Sequence, residues 1–151
     1  MIRQADIAVF SPDDRLQLIV EVKNKKGASP LWAANMRGNL FAHSAIPNAP
    51  FFLLALPDHF YLWKNASPIG VTPPDYEIDP TPIFGTYTDT QELHQNGLSE
   101  YGLELIINSW LNSLLNTDLT RENAEPHETW LFDSGLYEAI KHGSVRTQAT
   151  V

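Results

Sequence analysis

The sequence contains no cysteine, and this absence excludes several classes of protein. Without thiols there is no disulfide framework, no cysteine-ligated zinc or iron–sulfur cluster and no cysteine nucleophile. No stretch approaches the ~18–20 uninterrupted apolar residues that a membrane span requires, and the first residues lack the basic and apolar regions of a signal peptide. We therefore expect a soluble, cytoplasmic protein with no membrane partner, in which any metal ion is held by oxygen or imidazole.

Basic residues are scarce in the second half of the chain. Residues 1–65 carry seven Lys and Arg against five Asp and Glu, a net charge of +2. Residues 66–151 carry three against thirteen, a net charge of −10. A polyanion such as nucleic acid would therefore have to approach the first half of the protein.

The length and composition suit one folded domain. The chain has 151 residues, of which 43% are hydrophobic, and this is enough for a single core. We divide the domain 1–151 into a core at 1–64, an extended proline-rich arm at 65–87 and a helical, acidic part at 88–151.

Short apolar runs predict a hairpin at the start of the chain, followed by a helix. Ala5–Phe10 and Leu16–Lys23 are strand-like, and Ser11–Asp14 between them has the composition of a turn. Ser29-Pro30 is typical of an N-cap and the first residue of a helix. The apolar spacing continues that helix to about His43.

Two further strands are expected after this helix. The unbroken apolar run Phe51–Leu56 predicts a strand buried on both faces, and the aromatic run His59–Lys64 predicts its hairpin partner. A strand, a helix and an apolar strand in succession favour a parallel crossover. The expected fold class is therefore α/β (α+β), with a central mixed β-sheet of at least four strands flanked by helices.

The second half is less regular. Asn65–Pro82 contains five prolines and predicts the extended arm, which we expect to lie against a partner subunit in a homodimer or higher oligomer. Glu92–Asn116 contains a strongly amphipathic helix, and Ser134–His142 predicts a last short helix. The final eight residues are expected to be frayed.

Acidic and basic side chains converge in the first hairpin. Asp6 opens one strand, and Glu21-Val22-Lys23 closes the next after fourteen intervening residues. Side chains two apart on a strand share a face, and an antiparallel neighbour can bring Asp6 beside Glu21 and Lys23. Two carboxylates within about 6 Å of each other suit a hard divalent cation, Mg²⁺ or Mn²⁺, with the Val22 carbonyl as a further ligand. Lys23 could then orient or help deprotonate an attacking water and stabilise developing negative charge.

This arrangement resembles the restriction-endonuclease-like, or PD-(D/E)XK, nuclease superfamily. In that family a strand-initial Asp and a following acidic-x-Lys strand form the metal site, and residues 5–64 follow the order of its core. The resemblance implies a metal-dependent phosphodiesterase acting on DNA, with Asp6, Glu21 and Lys23 as catalytic residues and Asp6, Glu21 and Val22 as metal ligands.

Candidate substrate-binding residues lie between the metal motif and the third strand. Lys25 and Lys26 fall in the polar loop after the motif, and Arg37 lies on the following helix. Relatives in restriction and recombination often carry a Gln-x-x-x-Tyr pair on that helix, where this chain has Asn39 and His43 one turn apart. We predict that these five residues contact phosphates or bases.

The sequence departs from the family pattern in two places and leaves alternatives open. Ala5 replaces the proline that names the motif, and only five residues precede Asp6, where the family usually has a helix and a strand. Either Met1 is an internal start of a longer domain, or a partner chain or the C-terminal helices occupy that place, or the site is degenerate. The acid–lysine cluster could also be structural, and the chain a catalytically inactive nuclease-fold module that acts through protein–protein association.

Overall fold

A six-stranded mixed sheet organises the protein. The computed structural model describes residues 4–89 and 97–150. Its strands are β1 Gln4–Phe10, β2 Leu16–Val22, β3 Phe51–Ala55, β4 Phe60–Lys64, β5 Tyr76–Ile78 and β6 Ser144–Thr150. They lie in the order β5–β4–β3–β2–β1–β6, with β2 and β3 parallel and the other neighbours antiparallel.

Helices flank this sheet and complete the fold. The α-helices are α1 Pro30–His43, α2 Thr81–Tyr87, α3 Glu100–Leu115, α4 Thr129–Asp133 and α5 Leu136–Ile140, with a 3₁₀ turn at Pro126–Glu128. The predicted mixed sheet of at least four strands flanked by helices is confirmed. In the described ranges, no helix has the length and apolarity to cross a membrane.

The first 64 residues fold as their local patterns indicate. The turn after Phe10 is closed by a hydrogen bond from the Asp14 amide to the Ser11 carbonyl (2.9 Å), which allows β1 and β2 to pair. Ser29 caps α1 by accepting a hydrogen bond from the Trp32 amide (3.1 Å). Helix α1 then crosses over to β3, which pairs in parallel with β2.

The sheet separates two apolar layers because successive side chains on a strand point to opposite faces. One layer lies between the sheet and α1, and the other lies between the sheet and α2–α5. The first includes Ile19, Leu54 and Trp63, and the second is centred on the inner face of α3. The α3 residues in this second layer are Leu103, Ile107, Trp110, Leu111, Leu114 and Leu115.

Part of the predicted extended arm at 65–87 has regular secondary structure. Tyr76–Ile78 forms β5 on the edge of β4, and α2 follows it. The loop before β5 is held to the end of β4: the Trp63 indole donates to the Thr72 carbonyl (2.8 Å), and Asp75 accepts from the Lys64 amide (2.7 Å). These single hydrogen bonds leave no periodicity in the local sequence.

The end of the chain also differs from expectation. Instead of fraying, Ser144–Thr150 forms β6 and pairs antiparallel with β1, with Phe10 opposite Ser144 and Ile7 opposite Thr147. Gly143 permits this approach, since a Cβ atom there would lie 1.9 Å from the Phe10 carbonyl oxygen.

Two predicted helices are present with shorter bounds. The Glu92–Asn116 prediction corresponds to α3, and its segment 92–96 lies outside the described residues. The Ser134–His142 prediction corresponds to α5, which Gly135 begins with a left-handed backbone (φ 83°).

Candidate functional site

Asp6 and Glu21 meet at one end of the sheet, where β1 begins and β2 ends. The register pairs Ile7 with Val20, which brings the preceding Asp6 beside Glu21. Glu21 is opposite Leu54 on β3 and two residues after Ile19, and both of these pack toward α1. Glu21 is consequently almost fully buried, with 5% of its surface exposed.

The two carboxyl groups are neighbours. Asp6 Oδ2 accepts a hydrogen bond from the Val22 amide (2.8 Å), and the strand register places the Asp6 side chain beside that of Glu21. Burial is the largest cause that raises the pKa of Glu21 to about 9, and hydrogen bonding with Asp6 and the negative charge of Asp6 add to it. Glu21 is therefore the protonated member at neutral pH.

Lys23 lies close to the Asp6–Glu21 pair but forms no ion pair with it within 4 Å. The Lys23 amide donates to the Ala55 carbonyl (3.1 Å) and so extends the pairing of β2 with β3 by one residue. Its side chain is half-buried, and its positive charge partly opposes the rise in the pKa of Glu21. Among the residues that the structure describes, no ion pair of 4 Å or less joins Lys23 to an acid. The ammonium group is thus near the carboxyl pair and available to another partner.

A third acid, Glu104 on α3, also reaches this end of the sheet. Burial and the negative charges of Asp6 and Glu100 raise the pKa of Glu104. The start of α3 is held nearby, because the Asn24 side chain donates to the Leu98 carbonyl (3.0 Å). Sequence reasoning missed Glu104, although its place beside Leu103 at the border of the apolar stripe is a signal that it is partly buried.

The acids do not form a larger ligand cluster. Within residues 4–89 and 97–150, no three His, Asp or Glu side chains are grouped closely enough to hold a metal ion by themselves. A metal at this place would be held by two carboxylates and completed by backbone carbonyls and water, as Mg²⁺ often is. Val22, the predicted carbonyl ligand, is buried, and its amide donates to Asp6.

The loop after β2 carries Lys25 and Lys26 at the same end of the sheet. Both side chains are exposed, and the Lys25 ammonium lies 5.7 Å from the centre of the Trp32 ring. The loop is fixed by two hydrogen bonds, from the Gly27 amide to Asp58 Oδ2 (2.8 Å) and from the Tyr61 hydroxyl to the Ala28 carbonyl (2.6 Å). The structure therefore places both lysines, exposed, on a fixed loop that begins directly after Lys23.

Asn39 and His43 lie away from the acids. Both are exposed, but α1 leads from the Lys23 end of the sheet to the opposite end, where β3 begins. At 1.5 Å per residue, Asn39 lies about 14 Å along the helix and His43 about 20 Å. The crossover helix therefore separates both residues from Lys23, and their contact with phosphates or bases stays a prediction.

Arg37 is not on the surface at all. Only 2% of it is exposed, and its guanidinium group donates to the carbonyls of Ser67 (2.9 Å) and Ala66 (3.4 Å). It also lies 4.8–5.6 Å from three ring centres, those of Phe41, Phe52 and Trp63. This burial contradicts the prediction that Arg37 contacts substrate, and two of its guanidinium nitrogen atoms instead anchor the 65–75 loop.

Comparisons with known proteins leave the geometry as the basis for interpretation. No family model matches the chain, and no match was found among the curated proteins or the solved structures. The functional interpretation therefore depends on the carboxyl pair, the nearby ammonium group and the basic loop.

Proposed function

We propose that this protein is a metal-dependent endonuclease-like phosphodiesterase that hydrolyses DNA, with a restriction-endonuclease-like fold. Asp6 and Glu21 are the carboxylate ligands, and Lys23 is the catalytic ammonium. The observation that carries the proposal is the placement of Asp6 beside Glu21 at the end of buried strands, near Lys23, which has no ion pair among the described residues. A purely structural cluster gains little from placing two acids together where water is excluded.

The donor set fits Mg²⁺ or Mn²⁺. The available ligands are hard oxygen atoms, namely the Asp6 and Glu21 carboxylates and the Val22 carbonyl. A divalent cation would replace the proton on Glu21, because both carboxylates are favoured in their charged form beside it. When bound, such an ion supplies a Lewis acid and a template for the scissile phosphate.

Lys23 supplies the second catalytic element. An ammonium group at this position can orient an attacking water and stabilise the negative charge that grows on phosphate oxygens in the transition state. Since Lys23 has no close ion pair among the described residues, it need not give up a partner to do so.

The basic loop provides the approach for the DNA backbone. Lys25 and Lys26 are exposed on the loop that follows Lys23, which two hydrogen bonds hold in place. Contacts to phosphate groups by such side chains position nucleic acid without reading its sequence. Cleavage should therefore weaken as salt concentration rises.

The test separates metal binding from turnover. Glu21→Gln should abolish Mn²⁺ binding measured by calorimetry and Mg²⁺- or Mn²⁺-dependent cleavage of plasmid DNA, because it removes one of two carboxylate ligands. Lys23→Ala should also stop cleavage while keeping Mn²⁺ binding, because the ammonium is not a ligand. Glu122→Gln makes the same chemical change at an exposed site and should leave both properties unchanged.

The alternative is a catalytically inactive nuclease-fold module that acts by protein–protein association. The acidic second half, with its net charge of −10, favours it because that surface repels a polyanion. Wild-type protein that binds no Mn²⁺ and cuts no DNA would support the module and refute the enzyme.

Self-association stays part of the proposal. Strand β6 is the last strand of the sheet in the described residues, and its seven residues make it a much longer edge than the three-residue β5. Edges of this length are common places for a second sheet to pair. Light scattering should give a mass of a dimer or larger, and a value near 17 kDa would contradict this.

A further inference from the structure

Apolar side chains lie next to the basic loop, at the start of α1. Leu31 is 67% exposed, and its neighbour Trp32 is half-buried. The Lys25 ammonium lies 5.7 Å from the centre of the Trp32 ring, which brings positive charge to the first turn of the helix. One surface therefore combines apolar side chains with positive charge. We call this surface the basic tip and define it by Lys25, Lys26, Leu31 and Trp32.

The positive charge of the basic tip is not neutralised by acids. Three of the five lysines of the chain, Lys23, Lys25 and Lys26, fall within four residues. Among the described residues, none of these three has a carboxylate within 4 Å. The chain has 18 acidic residues and a net charge of −8, so partners of opposite sign are abundant elsewhere. Charge complementarity therefore favours a polyanion as the partner of this surface.

The loop that carries the lysines is held in one conformation. The Gly27 amide donates to Asp58 Oδ2 (2.8 Å), and the Tyr61 hydroxyl donates to the Ala28 carbonyl (2.6 Å). Gly27 itself adopts a left-handed backbone (φ 71°), which glycine tolerates without steric cost. The basic tip is therefore a fixed surface, and a ligand that binds it need not order the loop.

The apolar part of the basic tip decides which form of nucleic acid fits it. A phosphate group gains nothing from contact with a leucine or an indole ring, whereas the face of a base does. In a duplex the base faces are stacked on one another, and a protein reaches only phosphates, sugars and groove edges. In a single strand the base faces are free to pack on apolar side chains, while the phosphates stay beside the lysines.

We propose that the basic tip binds single-stranded DNA, an inference that rests on the proposed function because that function supplies DNA as the ligand. An unpaired base packs on Leu31 and Trp32, and the phosphates on either side of it contact Lys25 and Lys26. The Cα atoms of Lys23 and Lys25 can be at most about 7 Å apart, since only one residue separates them. The bound strand therefore passes close to the proposed catalytic ammonium.

The test measures binding in EDTA, so that it does not depend on metal or on cleavage. Fluorescence polarisation should show that a labelled 20-nucleotide oligothymidylate binds about tenfold more tightly than a 20-base-pair duplex at the same salt concentration. Intrinsic fluorescence reports the place of contact, because three of the four tryptophans are buried and Trp32 is half-buried. Oligothymidylate should quench this fluorescence, and Trp32→Phe should lose most of the quenching.

Matched variants separate the base contact from the phosphate contacts. Leu31→Ala should weaken oligothymidylate binding about tenfold and leave duplex binding unchanged, because it removes only a contact with a base. Leu105→Ala makes the same change at a leucine of α3 that is 49% exposed, and it should change neither. The double variant Lys25→Gln with Lys26→Gln should reduce the slope of log Kd against log salt concentration by about 1.4, at about 0.7 for each phosphate contact with a single strand.

Several outcomes would overturn the proposal: no binding of oligothymidylate, equal or tighter binding of the duplex, or full oligothymidylate binding by Leu31→Ala. Tighter, Leu31-dependent binding to phosphatidylserine vesicles would also overturn it, since the basic tip would then be a membrane-binding surface. Protein that binds oligothymidylate through Leu31 but cleaves no DNA with Mg²⁺ would support the basic tip and refute the nuclease. Protein that cleaves plasmid DNA but does not prefer oligothymidylate would refute the basic tip alone.

Discussion

Two ionisable side chains are buried on the same side of the sheet, and they differ in their partners. Arg37 is surrounded by groups that complement its charge, namely two carbonyl oxygens and three aromatic rings. Glu21 faces another acid, Asp6, and its pKa rises to about 9. The comparison shows that a buried charge with complementary partners holds a fold together, whereas a buried acid beside a like charge is held at the expense of stability. A cation that binds beside such an acid, as proposed for Glu21, would remove this cost and stabilise the protein.

The largest expected effect on stability comes from replacing Arg37. Arg37→Ala leaves a cavity and two carbonyls without a donor, so we expect the free energy of unfolding to fall by about 3 kcal/mol. Urea unfolding followed by circular dichroism measures it. Arg15→Ala, which breaks an ion pair between two exposed side chains, is the control and should cause no comparable loss. Equal losses of stability in the two variants would show that the buried partners of Arg37 add nothing beyond an exposed ion pair.

Replacing Glu21 should raise the free energy of unfolding, the opposite of the effect expected for Arg37. The Glu21 pKa is higher in the folded protein than the ordinary value of 4.5, so the folded state binds more protons between pH 4.5 and about 9. The free energy of unfolding of the wild type should therefore fall as pH rises through that window. Glu21→Gln removes this dependence and should stabilise the metal-free protein by about 2 kcal/mol at pH 8. Urea unfolding at pH 5 and pH 8 checks it, and a variant less stable than wild type at pH 8 would show that Glu21 is a structural residue.

The smallest effect concerns the loop that carries Lys25 and Lys26. The buried Tyr61 hydroxyl donates to the Ala28 carbonyl at 2.6 Å, so Tyr61→Phe should lower the free energy of unfolding by about 1 kcal/mol. If the loop positions DNA, the variant should also raise the salt sensitivity of cleavage while leaving Mn²⁺ binding intact. Tyr101→Phe, at an exposed tyrosine, is the matched control. A stability loss without any change in salt dependence would separate the loop from DNA binding.

The part of the fold that could be predicted from the sequence is the part with local signals. The turn at Ser11–Asp14, the Ser29-Pro30 helix start and the apolar run at β3 each determine their structure within a few residues. The contact of Asp6 with Glu21 follows from the same hairpin, since a tight turn fixes the register of the strands that it joins.

The rest depends on partners that are distant in the chain. Arg37 has the composition of an exposed helix residue, and only the 65–75 loop folding over it makes it part of the core. Glu104 joins the acids because α3 packs at the end of the sheet, and no spacing near Asp6 indicates this. Strand β6 lacks a strong apolar alternation, and its structure comes from the open edge of β1.

The pairing of β1 with β6 has a consequence for how the protein folds. Strand β1 pairs on one side with β2, which follows it closely in the chain, and on the other side with β6, at the far end of the described residues. An ion pair between Asp14 and Arg146 (2.8 Å) joins the same two regions of the chain. Contacts of such high sequence separation form late, because the entropy of closing the intervening loop must be met first. During synthesis, the strand that carries Asp6 therefore stays open on one side until residue 144 and its neighbours have left the ribosome.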